Sequence, residues 1–184
     1  MRFDVIYSDP PWKHNITSMG KNLYRTMNSH AHYPTMSTKD LCALPVGDVA
    51  APNCALFLWV LNGFLPPALE VMNAWGFRFV TVPFIWRKIT STGKDRTGLG
   101  PYTLPGVEQC WLGIRGEATK IIRLHTGIKQ VQSFPVGKHS QKPPQFRAFI
   151  EQMTIRSRRL EMFARESAPK WHAFGNQVEG SIAL

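Results

Sequence analysis

Cysteines, long apolar runs and acidic residues are scarce in this sequence of 184 residues. There are three cysteines, Cys42, Cys54 and Cys110, and none of them belongs to a Cys-x-x-Cys pair. This odd, scattered set argues against a disulfide framework or a zinc site and is typical of the reducing cytoplasm. Every apolar run is shorter than a membrane span, and a strand-like segment begins at Phe3. We therefore expect a cytoplasmic protein without a leader peptide or a membrane helix.

Several common motifs of nucleotide-binding proteins and hydrolases are missing. The chain has no Gly-x-Gly-x-x-Gly, no P-loop and no Gly-x-Ser-x-Gly. Dinucleotide binding, P-loop NTP binding and a nucleophile elbow are therefore not predicted. His30 and His32 form a His-x-His pair, but no third ligand follows at a suitable spacing. The sequence thus predicts no metal site.

Basic residues outnumber acidic ones, with 22 Lys and Arg against 12 Asp and Glu and a formal net charge of +10. Such an excess favours a polyanionic partner, most simply nucleic acid. The alternative is a basic soluble protein without a polyanionic ligand.

Apolar patterning predicts strands that alternate with helices. The predicted strands lie at residues 3–7, 54–61, 77–86, 108–114, 159–165 and 171–176. A capping box at residues 37–40 opens a short helix through Leu44, and proline pairs precede helices at 68–75 and 145–153. The pattern predicts a single α/β domain with a doubly wound sheet, which binds ligands beyond the carboxyl ends of its strands. Two polar stretches, at about 13–36 and 90–106, are expected to be flexible loops.

The tetrapeptide Asp9-Pro10-Pro11-Trp12 follows directly on the first predicted strand. Two prolines fix φ and lack N–H groups, so they predict a stiff turn whose carbonyl oxygens are free to accept hydrogen bonds. Asp9 adds a carboxylate and Trp12 a flat apolar face. Together they suit a planar ring with an exocyclic amine, which would donate to the carboxylate and a carbonyl while the ring stacks on the indole. The alternative is a rigid turn after a core strand.

Two segments near the C-terminus carry polar residues that could bind a ligand. Lys142 precedes a predicted helix N-terminus, where amide groups favour a carboxylate or a phosphate, and the alternative is a helix cap with a solvated lysine. Asn176 and Gln177 follow the last strand and offer amides to ribose hydroxyls or an adenine edge, and the alternative is a plain turn.

Charged residues also follow or occupy two other strands. Trp86 and Lys88 lead into the 90–106 loop, which could hold a phosphate backbone or simply be exposed to solvent. Taken alone, Glu161 and Arg165 indicate only a charge pair or a solvated face.

A set of motifs recurs in order along nearly the whole chain: DPPW at 9–12, YPTM at 33–36, LFLWV at 56–60, WGF at 75–77, Glu108 ahead of Arg115-Gly116, Lys142-Pro143, EMFAR at 161–165, Trp171 and GNQ at 175–177. In this order they resemble the MT-A type of N6-adenine methyltransferase, a family with short bacterial and phage members. The resemblance implies S-adenosylmethionine as cofactor and one Rossmann-like methyltransferase domain over residues 1–184. It also implies a permuted motif order, with the catalytic loop first and most cofactor-binding elements last.

The resemblance implies roles for individual residues. Asp9, Pro10 and Pro11 would hold the target amine beside the methyl group of the cofactor, and Trp12 and Tyr33 would line the adenine pocket. The cofactor would meet Lys142 at its carboxylate, Phe163 and Arg165 at its flanks, and Asn176 and Gln177 at its ribose. Lys88 and Glu108 would lie nearer the nucleic acid.

Two stretches depart from the family pattern. The loop reads Tyr102-Thr103-Leu104-Pro105 where short members often carry an arginine. Glu166-Ser167-Ala168 stands where some relatives use a His-Asn pair on the cofactor.

The sequence favours methyl transfer to the N6 amine of adenine in DNA, because it resembles compact members without an appended RNA-binding module. RNA adenosine is the main alternative. A catalytically silent nucleic-acid-binding subunit is another, although the intact DPPW motif argues against it. Methylation of a small molecule or a glutamine amide is a third, and the net charge disfavours it. A homodimer or a partner subunit could assist recognition.

Overall fold

The computed structural model describes residues 1–13, 34–100, 102–117, 120–123, 125–137, 141–154, 157–176, 178–179 and 182–184. Its strands are β1 (Phe3–Ser8), β2 (Ala50–Val60), β3 (Arg78–Ile89), β4 (Val107–Arg115), β5 (Val131–Pro135), β6 (Arg159–Met162) and β7 (Trp171–Phe174). Its helices are α1 (Thr38–Cys42), α2 (Val46–Val49), α3 (Leu65–Ala74) and α4 (Gln145–Met153), with a 3-10 turn at Asn62–Phe64.

The strands form one sheet in the order β5-β3-β4-β2-β1-β6-β7. β1 is parallel to β2 and β6, β6 is parallel to β7, and β3 is parallel to β5, whereas β4 is antiparallel to both of its neighbours. The chain leaves β1 toward β2 on one side and later returns to β6 on the other. β1 and β6 therefore flank the switch point of the sheet, where open α/β sheets bind their ligands.

Helices cover both faces of the sheet, and each face carries its own apolar cluster. On one face, Leu41 of α1 and Val71 of α3 pack in the same cluster as Leu56 of β2. On the other face, Phe146 of α4 contacts Trp59 of β2 with their ring centroids 4.9 Å apart. This two-sided coverage explains why residues 54–60 are an unbroken apolar run.

The helix boundaries follow local signals in the sequence. The capping box is confirmed, because the Asp40 N–H donates to Ser37 Oγ and the Ser37 N–H donates to Asp40 Oδ2, each at 3.2 Å. Prolines occupy the first turn of α3, and Gly76 follows its end with a φ of +82°. Among the described residues, no helix is both long enough and apolar enough to cross a membrane.

The predicted α/β sheet is confirmed, with corrections to its strands. β4 is antiparallel to its neighbours, so the sheet is mixed. The strand predicted at 159–165 ends at Met162, because Phe163 adopts a left-handed φ of +59°. The last strand ends at Phe174 instead of Asn176. β5 is not predicted by the sequence pattern, because it is an edge strand of five residues with a proline at its end.

Candidate active site

Asp9 lies one residue beyond the end of β1, at the switch point of the sheet. Backbone hydrogen bonds fix the turn that follows: the Trp12 N–H donates to Pro10 O at 2.9 Å, and the Met36 N–H donates to Pro11 O at 2.8 Å. The two carbonyls are thus engaged within the protein, contrary to the free acceptors expected from the sequence. Each carbonyl oxygen has two lone pairs, so Pro10 O can still accept from one more donor.

Four charged side chains from distant parts of the sequence form a continuous chain beside this turn. Lys142 Nζ donates to Asp9 Oδ2 at 2.7 Å and lies 3.2 Å from Glu108 Oε2, while Lys88 Nζ donates to Glu108 Oε1. The Lys142 side chain is 10% exposed and that of Glu108 is 6% exposed, so water screens their attraction weakly. We refer to Lys88, Glu108, Lys142 and Asp9 as the charge chain.

The direction of β4 explains how the charge chain forms. Glu108 is the second residue of β4 and pairs with Trp86 of β3. Because β4 runs opposite to its neighbours, its beginning lies at the edge where β1, β2 and β3 end. Lys88 lies near the end of β3, and Lys142 lies just before α4. The charge chain therefore runs along the carboxyl edge of the sheet toward Asp9.

The members of the charge chain shift one another's pKa values. Burial raises the pKa of the Asp9 carboxyl, and Lys142 opposes this rise. Burial also works to raise the pKa of Glu108, but Lys142 and Lys88 outweigh it and hold that pKa below its ordinary value. Burial works to lower the pKa of Lys142, yet Asp9 and Glu108 hold it well above its usual range. Lys142 and Glu108 are therefore charged at neutral pH, whereas the pKa of Asp9 is raised above its ordinary value.

A cleft opens beside Asp9 at the switch point, and its volume of about 410 Å³ includes space open to solvent. Its lining residues come from the ends of β1 and β6, the segment before α4 and α4 itself, and they are Tyr7, Asp9, Gln141, Lys142, Arg147, Glu161, Phe163, Arg165 and Glu166. The lining combines three carboxylates, three cations and an apolar ring, so it suits a ligand that carries charges of both signs.

One wall of the cleft is held by Arg147. Its Nη1 donates to Glu161 Oε2 at 3.2 Å, and its Nη2 donates to Glu166 Oε1. Burial raises the pKa of Glu161 to about 7, and Arg147 opposes this rise. The Glu161 carboxyl therefore changes its charge near neutral pH.

Two tryptophans predicted to contact substrate lie in the core instead. Trp12 is 6% exposed, donates from Nε1 to Trp59 O at 3.2 Å and stacks on Phe64 at a centroid distance of 5.5 Å. Trp86 is fully buried, and its Nε1 donates to Phe134 O at 2.9 Å. Both rings are covered because they point into the apolar clusters between sheet and helices.

The other predicted site residues are distributed unevenly around the cleft. Phe163 and Arg165 line it, and Asn176 is exposed two residues beyond the end of β7, at the same edge of the sheet. Tyr33 and Gln177 lie outside the described residues, as do His30 and His32.

Comparison with known proteins bears on what this site does. The MT-A70 family matches residues 3–177 of the chain. The chain belongs to the MT-A70 family.

Named relatives extend this result. The Type II methyltransferase M.MunI of Mycoplasma sp is 28% identical over 189 residues, which cover 96% of this chain and 78% of that protein. The human N(6)-adenine-specific methyltransferase METTL4 is 29% identical over 190 residues, and the human N(6)-adenosine-methyltransferase catalytic subunit METTL3 is 27% identical over 184 residues. The matched segments cover only 37% and 29% of these two human proteins.

The mixed sheet agrees with the S-adenosylmethionine-dependent methyltransferase fold of the MT-A70 family, and the residues of the cleft fit this cofactor. The carboxylates of Asp9 and Glu161 suit its sulfonium and ammonium groups, and the Phe163 ring offers an apolar surface. Lys142 donates a hydrogen bond to Asp9 and lies 3.2 Å from Glu108 Oε2 without donating to it, so N–H donors remain for a carboxylate.

The close packing of Gly175 supports the same wall of the cleft. A Cβ on Gly175 would lie 2.2 Å from Ala164 O, so only glycine lets the end of β7 approach the turn that carries Phe163 and Arg165.

Several cleft residues in this MT-A70 chain are not predicted as site residues from the sequence, namely Tyr7, Gln141, Arg147, Glu161 and Glu166. Glu161 does leave a signal, because its carboxylate lies between two buried apolar residues, Leu160 and Met162, of a short strand. Arg147 leaves none, since its partners lie 14 and 19 residues away on other elements.

Proposed function

We propose that this protein transfers a methyl group from S-adenosylmethionine to the N6 amine of adenine in nucleic acid, and that the nucleic acid is DNA. The observation that carries the proposal is the position of Asp9 in the switch-point cleft, directly before the hydrogen-bonded Pro10-Pro11 turn. The names of METTL4 and METTL3 specify the N6 position of adenine or adenosine, which agrees with this target atom.

The chemistry of the target amine explains the need for these acceptors. The lone pair of the adenine amine is delocalised into the ring, so the amine is a poor nucleophile. Hydrogen bonds from the amine to Asp9 and to the remaining lone pair of Pro10 O would localise that lone pair and direct it out of the ring plane. The stiff proline turn keeps the two acceptors at a fixed separation.

S-adenosylmethionine supplies an electrophilic methyl group on a sulfonium. The Asp9 carboxylate would stabilise the positive charge that develops on the amine as it takes the methyl group and the rest of the cofactor leaves as a neutral thioether. The surplus proton then leaves the nitrogen for Asp9 or water. Asp9 stabilises the developing positive charge only when it is ionised, so Lys142 assists the reaction by opposing the rise in its pKa.

The 90–106 loop connects β3 to β4, and we refer to it as the arm. It presents a surface for nucleic acid beside the charge chain. The arm is closed by backbone hydrogen bonds, including Arg96 N–H to Lys88 O at 2.9 Å and Gly98 N–H to Pro105 O at 2.8 Å. Tyr102 is 94% exposed, and the exposed Lys94 and Arg96 form no ion pair among the described residues. An exposed ring and exposed cations on the same loop suit base stacking and phosphate contacts.

The target base must leave the stack to reach Asp9. The Asp9 side chain is only 29% exposed and Pro10 is buried, so a base stacked within a duplex could not bring its amine to them. Base extrusion from a duplex, or a single-stranded substrate, is therefore part of the proposal.

DNA is favoured on the resemblance to compact bacterial and phage members. RNA is the second candidate, because several relatives are named for adenosine. One of them is named a catalytic subunit, so a partner subunit of this protein is a further expectation, as is a homodimer.

The proposal is tested by transfer of labelled methyl from S-adenosylmethionine to matched DNA and RNA oligonucleotides, single- and double-stranded. We expect N6-methyladenine in DNA, and we expect Asp9→Asn to remove activity while the protein remains folded. Label on RNA alone would move the assignment to the second candidate. Cofactor binding without label on either polymer would indicate a missing partner subunit or a different acceptor. Full activity of Asp9→Asn would refute the mechanism.

A further inference from the structure

Arg147 occupies an unusual position between two carboxylates of the cleft. It is the third residue of α4, and its side chain is 12% exposed. Nη1 of the guanidinium contacts Glu161 on β6, and Nη2 contacts Glu166 in the turn beyond β6. The Glu161 side chain is 17% exposed, whereas that of Glu166 is 51% exposed. Arg147 thus links a recessed carboxylate of the cleft to one near its rim.

We propose that Arg147 is a positioning residue. It divides its hydrogen bonds between Glu161 and Glu166, and this division sets how far Glu161 is ionised and how firmly it is oriented toward the cofactor. The inference rests on the proposed function, because it takes S-adenosylmethionine to be the ligand of the cleft. A hydroxyl or ammonium group of the cofactor would donate to the ionised Glu161.

The surroundings of Glu161 make its charge responsive to this division. Arg147 faces it from α4, Glu166 from the turn after β6, and Asp9 and Tyr7 from the end of β1. Its neighbour on β7, Ala173, carries no charge. Burial raises the pKa of Glu161 to about 7, Arg147 opposes the rise, and Glu166 and Asp9 add to it. Removal of Arg147 and removal of the Glu166 charge should therefore move this pKa in opposite directions.

The ligand-free protein offers the first test. A carbon-13 carboxyl titration by NMR is expected to show an apparent pKa of Glu161 near 7 in the wild type. We expect a higher value in Arg147→Met and a lower value in Glu166→Gln. The Glu166→Gln variant removes an exposed group, so it preserves a folded protein for the test even if Arg147→Met unfolds. Equal titration of all three proteins would overturn the proposal.

Cofactor binding by calorimetry between pH 6 and 8 gives the second test. The ionised fraction of a group with a pKa near 7 changes about tenfold over this interval, so ionisation of Glu161 should raise wild-type affinity with pH. The amine of the cofactor loses its proton in the same range and works against this rise in every variant, so the shift of the profile between variants is the quantity compared. The rise should move to higher pH in Arg147→Met and to lower pH in Glu166→Gln.

The outcomes separate this inference from the proposed function. Arg78→Met serves as the control, since Arg78 is exposed at the opposite end of β3 and should leave the profile unchanged. Arg147→Met should raise KM for the cofactor at pH 7 about tenfold with kcat nearly unchanged, as for a lost hydrogen bond to a charged group. Failure of the wild type to bind S-adenosylmethionine would overturn both proposals. Binding with the same pH profile in all variants would overturn only the role of Arg147.

Discussion

Replacement of Glu108 by glutamine tests whether the charge chain contributes to stability as its burial implies. The substitution keeps the shape of the side chain and one carbonyl acceptor but removes the negative charge that lies between Lys88 and Lys142. Lys142 keeps Asp9 as a partner at 2.7 Å, and Lys88 is 23% exposed, so water can solvate part of its charge. We therefore expect Glu108→Gln to lower the free energy of unfolding by an intermediate amount.

The distances give the size of the effect. At 3.2 Å and an effective dielectric constant of about 20, the attraction between Glu108 and Lys142 is about 5 kcal/mol. The cost of dehydrating the carboxylate offsets much of this attraction. Removal of one partner from a buried pair typically costs about 3 to 5 kcal/mol. Because Lys142 keeps Asp9 and Lys88 keeps contact with water, we expect Glu108→Gln to cost about 3 kcal/mol. For a chain of this size, such a loss lowers Tm by roughly 6 to 12 °C.

Urea unfolding of the ligand-free protein at pH 7 measures this difference, with Glu117→Gln as a matched control. Glu117 pairs with Lys120 at 2.7 Å, but the two side chains are 64% and 57% exposed, so its loss should cost less than about 1 kcal/mol. Equal costs for the two variants would refute the reasoning.

The pH dependence gives a second check on the same variant. Because the pKa of Glu108 is lowered in the fold, its contribution is present above the ordinary value of 4.5 and is lost as pH falls through the lowered value. The difference between wild type and Glu108→Gln should therefore shrink in acid.

Three further predictions concern the cleft, its cofactor and the arm. Gly175→Ala should destabilise the protein by about 1 to 3 kcal/mol in urea unfolding, because its Cβ would meet Ala164 O at 2.2 Å, whereas Gly63→Ala, with no atom within 4 Å, should cost far less. S-adenosylmethionine at about 100 times its dissociation constant should stabilise the wild type by about 2.7 kcal/mol in a thermal scan, and an unchanged Tm would contradict the assignment of the cleft. Tyr102→Ala should weaken binding of single-stranded oligonucleotides by about 1 to 3 kcal/mol in fluorescence anisotropy and leave cofactor affinity unchanged; a loss of both would indicate a structural role.

The parts of the fold that depend on neighbouring residues can be read from the sequence. The capping box of α1 joins residues three positions apart, and the apolar run of β2 reflects coverage of both faces. The DPPW motif likewise predicts a site at the end of β1, and the cleft beside Asp9 lies there. The turn at Phe163 escapes such reading, because nothing in its type indicates a left-handed φ.

The charge chain and the cores show the limit of local patterns. Lys142 and Asp9 are 133 residues apart, and their contact depends on the order of the strands. The same charges and aromatic rings could equally have faced a ligand or solvent. Trp12 illustrates this ambiguity: a ring after a proline turn suits either a stacked base or the core, and only the position of Phe64 on the next layer decides between them.

The reversed direction of β4 has a consequence for how this scaffold can be altered. Because β3 and β4 are antiparallel neighbours, the 90–106 arm begins and ends at the same edge of the sheet, and its described residues form no named strand or helix. Each doubling of such a connection costs only about 0.6 kcal/mol in closure entropy. The arm is therefore a segment that could be lengthened, shortened or exchanged between relatives without shifting the register of any strand, and transplanted arms would offer a direct way to test whether it selects the proposed nucleic-acid substrate.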